Sequence, residues 1–101
     1  MKTYVTYTNY NNQDYSLLDL CRLESTAKYF FTTVYMEEFQ EANDDDRINL
    51  YLAEADVSEE DFRILTVLTD NIDEDEVSDI LQKIDLDPKT RIIYAVNGGD
   101  F

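Results

Sequence analysis

Residues 16–36, SLLDLCRLESTAKYFFTTVYM, decide the fold. The later half, from Tyr29 to Met36, is aromatic and β-branched and would suit a strand. At about 100° per residue, however, Leu20, Leu23, Ala27, Phe30, Phe31 and Val34 share an arc about 100° wide, the width of a core-facing helical stripe. No polar residue between 17 and 36 enters that arc. As a strand, the same stretch would be aromatic on both faces with no clean alternation. The spacing therefore predicts one long helix over 16–36. Glu38 and Glu41 would rotate into the stripe, so the buried part ends near residue 36, and a solvated last turn runs to about residue 42.

Working outward, residues 3–10 (TYVTYTNY) read as a strand, and Asn11-Asn12-Gln13-Asp14 as a turn. After a charged loop at residues 43–46, Ile48, Leu50 and Leu52 alternate with Asn49 and Tyr51, the pattern of a half-buried strand over Arg47–Ala53. Ser58-Glu59-Glu60-Asp61 resembles a capping box and opens a short helix to about residue 69. A second helix starts at Asn71–Asp73, with Glu74, Asp75 and Glu76 in its first turn, where the helix dipole favours anions. Its apolar face is Val77, Ile80, Leu81 and Ile84, and Pro88 lies shortly past its end. Thr90–Val96 is almost continuously apolar and reads as a central strand. The order β-α-β-α-α-β predicts one α+β domain over residues 1–101. Its architecture would be a small mixed or antiparallel sheet of about three strands packed against helices.

Composition sets limits. The 101 residues include 28 Leu, Ile, Val and Phe, enough for a core. With no His and a single Cys there is no imidazole base, no internal disulfide and no Cys/His metal set. No apolar run approaches the roughly 18 residues of a membrane span, and no signal peptide is visible, so the expectation is a cytoplasmic protein with no membrane contact. Cys21 reads as a small buried apolar residue at the edge of the long helix. Tyr4, Tyr7, Tyr10, Tyr15 and Tyr51 read either as sheet residues packed under helices, the favoured reading, or as aromatic anchors of an interface.

Charge is the most informative feature. Eight Lys and Arg face 23 Asp and Glu, a net of −15. Residues 1–36 sum to zero and residues 88–101 to +1, so the excess, −16, lies in residues 37–87. A concentrated negative field attracts cationic partners and speeds their encounter. The candidate partner-binding carboxylates are Glu37, Glu38 and Glu41 after the long helix, and Asp44, Asp45 and Asp46 in the loop. Glu54 and Asp56, then Glu59, Glu60 and Asp61, follow around the first short helix. Asp70, Asp73, Glu74, Asp75, Glu76 and Asp79 complete the set. The plainer alternative is a merely solvated face, but like charges this close destabilise the compact state, which suggests a use.

Neither aspartate cluster fits a twelve-residue calcium loop, which needs Gly at its sixth position and Glu at its twelfth. Counted from Asp44 these positions are Asn49 and Ala55, and counted from Asn71 they are Glu76 and Gln82. No metal site, no cofactor and no catalytic residues are expected, and the protein is not expected to be an enzyme. Carboxylates on successive helical turns stand about 5–6 Å apart, the scale of phosphate spacing along one nucleic-acid strand. In this the chain resembles, as a class, the small DNA-mimic inhibitors encoded by phages and mobile elements. These include antirestriction and anti-CRISPR proteins and inhibitors of uracil-DNA glycosylase. The resemblance rests on the short single domain, the −15 charge, the absence of His and the runs Asp44-Asp45-Asp46, Glu59-Glu60-Asp61 and Asp73-Glu74-Asp75-Glu76. It implies a basic nucleic-acid-binding protein as partner, such as a CRISPR effector nuclease or a restriction enzyme. It further implies stoichiometric inhibition in the host-cell cytoplasm, with no direct binding to nucleic acid. The alternatives are an acidic adaptor or regulatory protein with a basic partner, and a halophile protein whose acids only hold water and ions. A homodimer through an apolar patch at Tyr35, Met36 and Phe39 is also possible.

Overall fold

The computed structural model describes residues 1–42, 45–66 and 74–98. Its strands are β1 (Lys2–Tyr10), β2 (Gln13–Cys21), β3 (Ile48–Asp56) and β4 (Arg91–Asn97). The helices are α1 (Glu24–Phe30), a π-helical turn (Phe31–Tyr35), α2 (Met36–Ala42), α3 (Glu59–Thr66) and α4 (Glu74–Leu86). The fold is α+β, with an antiparallel sheet of four strands rather than three, in the order β2-β1-β3-β4.

The extra strand is β2, whose residues 16–21 begin the predicted long helix and whose first residues, Gln13 and Asp14, belong to the predicted turn. β1 and β2 form a hairpin in which Tyr10 faces Gln13, and both turn residues, Asn11 and Asn12, have positive φ (55° and 61°). This is the primed turn that matches strand twist, and Asn tolerates it. Two register shifts follow, one with Asp14 at φ 52° and one at Leu18, between the pairs Thr6–Asp19 and Tyr7–Leu17. Each shift puts an extra residue into β2. The period of two is therefore broken twice within nine residues, and Tyr15, Leu17 and Leu20 still reach one face while Cys21 reaches the other. With its alternation erased, the stretch borrowed helical spacing from the true helix behind it. Cys21 consequently lies half-exposed on a strand, its Sγ hydrogen-bonded to Leu23, and not on a helix.

Residues 24–42 are helical throughout, so Tyr29–Met36 is helix, but the predicted stripe is only partly right. Ala27 and Phe31 are buried, whereas Leu23 is 65% and Phe30 42% exposed. The π-helical turn adds one residue and so sets the helix back by about 100°. That shift brings Phe39 onto the buried side and turns Glu38 out to solvent, which removes the conflict that seemed to end the buried face at residue 36. Phe39 is core, with the partly buried Met36 packed beside it, and Tyr35 is half-buried.

Helices cover both faces of the sheet. On one face Tyr4, Leu50 and Leu52 pack with Ala27, Phe31 and Phe39. On the other, Val5, Tyr7, Tyr15, Ala53 and Ala55 pack with Leu65 of α3 and Ile80, Leu81 and Ile84 of α4. The buried positions Tyr4, Tyr7 and Tyr15 follow the core reading of the tyrosines. Tyr7 and Tyr15 each donate a hydroxyl to the Asp85 carboxylate, at 2.7 Å, pinning α4 to β1 and β2. Burial first, and the Asp85 carboxylate second, push both phenol pKa values well above the ordinary 10.0. On the same sheet face Asn97 donates to Asn49 (2.9 Å) and Asn49 donates to Asn9 (3.0 Å), an amide chain across β4, β3 and β1.

β3 runs three residues further than the alternation of Ile48, Leu50 and Leu52 indicated, because Ala53 and Ala55 carry no bulky side chain to mark it. Ser58 caps α3 as its sequence predicts, accepting the Asp61 amide on Oγ at 3.1 Å. β4 is an edge strand, not a central one; its apolar run is exposed at Ile92 and Tyr94.

Candidate acidic interface

The hairpin of β1 and β2 carries Asp14 on its bulge, and Asp14 is the residue on which the acidic surface turns. It lines a groove on one face of the sheet with Ser16, Leu18, Tyr35, Glu38 and Phe39. On the other face it lines a second groove, with Leu17, Ile64, Glu74, Asp75 and Val77, between β2 and the helices α3 and α4. A third, shallow depression joins it to Gln13, Asp75, Ser78, Asp79 and Gln82. Carboxylates from α2, the hairpin and α4 thus form one band that wraps the β2 edge from face to face.

The local causes are clear. The bulge holds Asp14 at the tip, and the Ser78 hydroxyl accepts the Tyr15 amide at 3.0 Å, seating the first half of α4 against the edge strand. Val77, Ile80, Leu81 and Ile84 face the sheet, which leaves Glu74, Asp75, Glu76 and Asp79 exposed. On α2, Phe39 faces in, and Glu37, Glu38 and Glu41 are exposed.

The predicted carboxylates divide into groups. Glu38 lines one depression with Asp14, and Glu74, Asp75 and Asp79 line the two others that Asp14 borders. Glu37 and Glu41 are exposed on α2, Glu76 on α4, and Glu59 and Glu60 in the first turn of α3. Four others belong to ion pairs within the molecule. Asp45 takes the Arg47 guanidinium at 2.8 Å, which holds its carboxyl down at about 2. Glu54 binds Arg91 and Lys2, and Arg91 also lowers the pKa of Glu24. Asp56 binds the amino terminus, which lowers its pKa, and Asp61 binds Lys83 at 2.6 Å, tying α3 to α4. Asp46 is exposed in the turn before β3. Asp44, Asp70 and Asp73 lie outside the described residues.

Three of the cations lie together near the start of β4, while Arg47 stacks on Tyr10 beside the hairpin and Lys83 lies on α4. Lys2, Lys28 and Arg91 form one network with Glu24 and Glu54. Among the described residues, Asp14, Glu38, Glu74 and Asp79 take part in no ion pair with a Lys or Arg. Asp14 itself was missed by charge counting, because residues 1–36 are neutral as a block. The turn signal at Asn11–Asp14 would have placed it at a hairpin tip had β2 been recognised.

Among the described residues no group of three or more His, Cys, Asp or Glu could hold a metal ion, and no helix is long and apolar enough to cross a membrane. No protein family, no curated protein and no solved structure matches the chain.

Proposed function

We propose that the protein is a nucleic-acid mimic. In this reading it occupies the nucleic-acid groove of a host defence enzyme, a CRISPR effector nuclease or a restriction enzyme, and blocks it stoichiometrically in the cytoplasm. One observation carries the reading. Exposed carboxylates of α2 and α4 line depressions that share Asp14 around the β2 edge, and Asp14, Glu38, Glu74 and Asp79 take part in no ion pair with a Lys or Arg among the described residues. A band of this kind can offer Asp and Glu to the Lys and Arg that otherwise bind phosphates. It supplies neither bases nor a reactive centre, so the mechanism is occupancy and not chemistry.

The test is competition. Binding to a basic nuclease should weaken steeply with salt and be displaced by the nuclease's own DNA or guide RNA. Asp14→Asn, Glu38→Gln and Asp79→Asn should each cost about tenfold in affinity, roughly 1.4 kcal/mol, where the carboxylate meets a cation. A complex that DNA does not displace would identify an acidic adaptor instead. Affinity unchanged in the triple variant would overturn the band as the binding surface.

A further inference from the structure

The edge of the sheet opposite the acidic band is built in a different way. Among the described residues β4 has a strand neighbour on one side only, β3, and forms an edge of the sheet. Native edges are commonly blunted by charged residues, by bulges or by a covering helix. β4 has one bulge, at its start, where Ile93 falls between the pairs Ala53–Ile92 and Leu52–Tyr94. Beyond it Tyr94, Ala95, Val96 and Asn97 pair regularly with β3 and carry no charge. Ile92 is 41% and Tyr94 37% exposed, and Ala95 is exposed as well.

Charge selects the occupant. Residues 88–98 contain Lys89 and Arg91 and no acid, in a chain of net charge −15. The nearby acids Glu24 and Glu54 are already paired with Arg91. A basic partner is therefore drawn to the far edge and not to this one. A second copy of the chain, by contrast, meets least repulsion here, because the two acidic bands then lie at opposite outer ends of the joined sheet.

We infer that two copies pair through β4, antiparallel about a two-fold axis at Ala95, to make a continuous eight-stranded sheet. In that register Tyr94 faces Val96 of the second copy on the side that holds Phe31, against which Tyr94 already stacks at 5.3 Å. Aromatic with β-branched pairs of this kind stabilise sheets. Ala95 faces Ala95, and two small side chains allow close approach at the axis.

Sedimentation equilibrium tests the inference. The wild-type mass should rise with concentration towards twice the 11.9 kDa of one chain. The rise should strengthen as salt screens the residual repulsion, the opposite trend to binding through the acidic band. Ala95→Glu and Ala95→Lys alone should each stay at one-chain mass, since like charges then face each other across the axis. An equimolar mixture should return to two-chain mass. In a Cys21→Ser background, Ala95→Cys should oxidise to a covalent dimer and Glu76→Cys should not, a readout that holds if the charged variants fail to fold. A wild-type chain that stays single at every salt and concentration overturns the inference, even if some partner's strand binds this edge. So do Ala95→Glu and Ala95→Lys chains that dimerise like wild type.

Discussion

At one edge of the sheet, β2 is bulged twice, leans on α4 through the Tyr15–Ser78 hydrogen bond, and is lined by acids at the hairpin tip. At the other edge, β4 is bulged once, carries no acid, and shows Ile92 and Tyr94 to solvent. The first edge is protected against strand pairing by shape, cover and charge together, the second only by its early bulge. The difference separates two tasks on one small sheet. Carboxylates can be concentrated at β2 because a helix stands behind them, and apolar contact is left to the side where the strand carries no acid.

The largest test of this contrast removes the cover. Leu81 is fully buried beneath α4. Leu81→Ala should cost about 2–5 kcal/mol in urea unfolding. Loosening α4 should also unmask β2, so the variant should self-associate through an edge that wild type keeps shut. A variant that is destabilised yet no more associating would show that the two bulges alone protect β2.

Next in size is the anchor of the same helix. Tyr7→Phe deletes a buried hydroxyl donor to Asp85 and should cost about 1.5–3 kcal/mol, read by thermal unfolding. It should also alter the alkaline limb. Because the folded pKa of Tyr7 lies above 10.0, its stabilising contribution is complete below pH 10 and is lost as the pH climbs through the raised value. Wild type should therefore lose stability above pH 10 more steeply than Tyr7→Phe.

Smaller again is the bulge. Asp14→Ala places a side chain without a compensating polar group at φ 52° and should cost about 1 kcal/mol. Asp14→Gly should retain the fold, and both should weaken binding through the acidic band equally.

The smallest effect belongs to the β4 side. Arg91→Ala breaks only exposed pairs with Glu24 and Glu54, so its shift in melting temperature at pH 7 should be near the limit of measurement. Arg91 holds both carboxyls below their ordinary 4.5. Their contribution is thus present above pH 4.5 and lost as the pH falls through the lowered values, and wild type and Arg91→Ala should converge there.

The α+β class, the strand at β1, the capped start of α3 and the apolar face of α4 were legible because each obeys a single period. β2 was not, because two inserted residues break its alternation and leave Leu20 in line with the helical stripe that follows it. The helix at 24–42 was legible as a helix, but its buried side was not, since the π-helical turn changes phase where the sequence shows only aromatic and β-branched residues. The acidic stretch was plain from composition. Its geometry was not, because the residue that joins the carboxylates, Asp14, comes from the neutral part of the chain and reaches them only through the hairpin.

The amide chain that ends at Asn97 has a chemical consequence. Asn97 precedes Gly98, the pairing in which a backbone nitrogen most readily attacks the side-chain carbonyl to form a succinimide and release ammonia. Here the Gly98 amide is held by the Ile48 carbonyl at 2.9 Å, and the Asn97 Nδ2 donates to Asp46 and Asn49. Nitrogen and carbonyl are thus kept from the geometry of cyclisation for as long as the strand stays zipped. The folded protein should keep its asparagine, and each unfolded interval should add to a slow molecular clock, readable by mass spectrometry as a gain of one dalton.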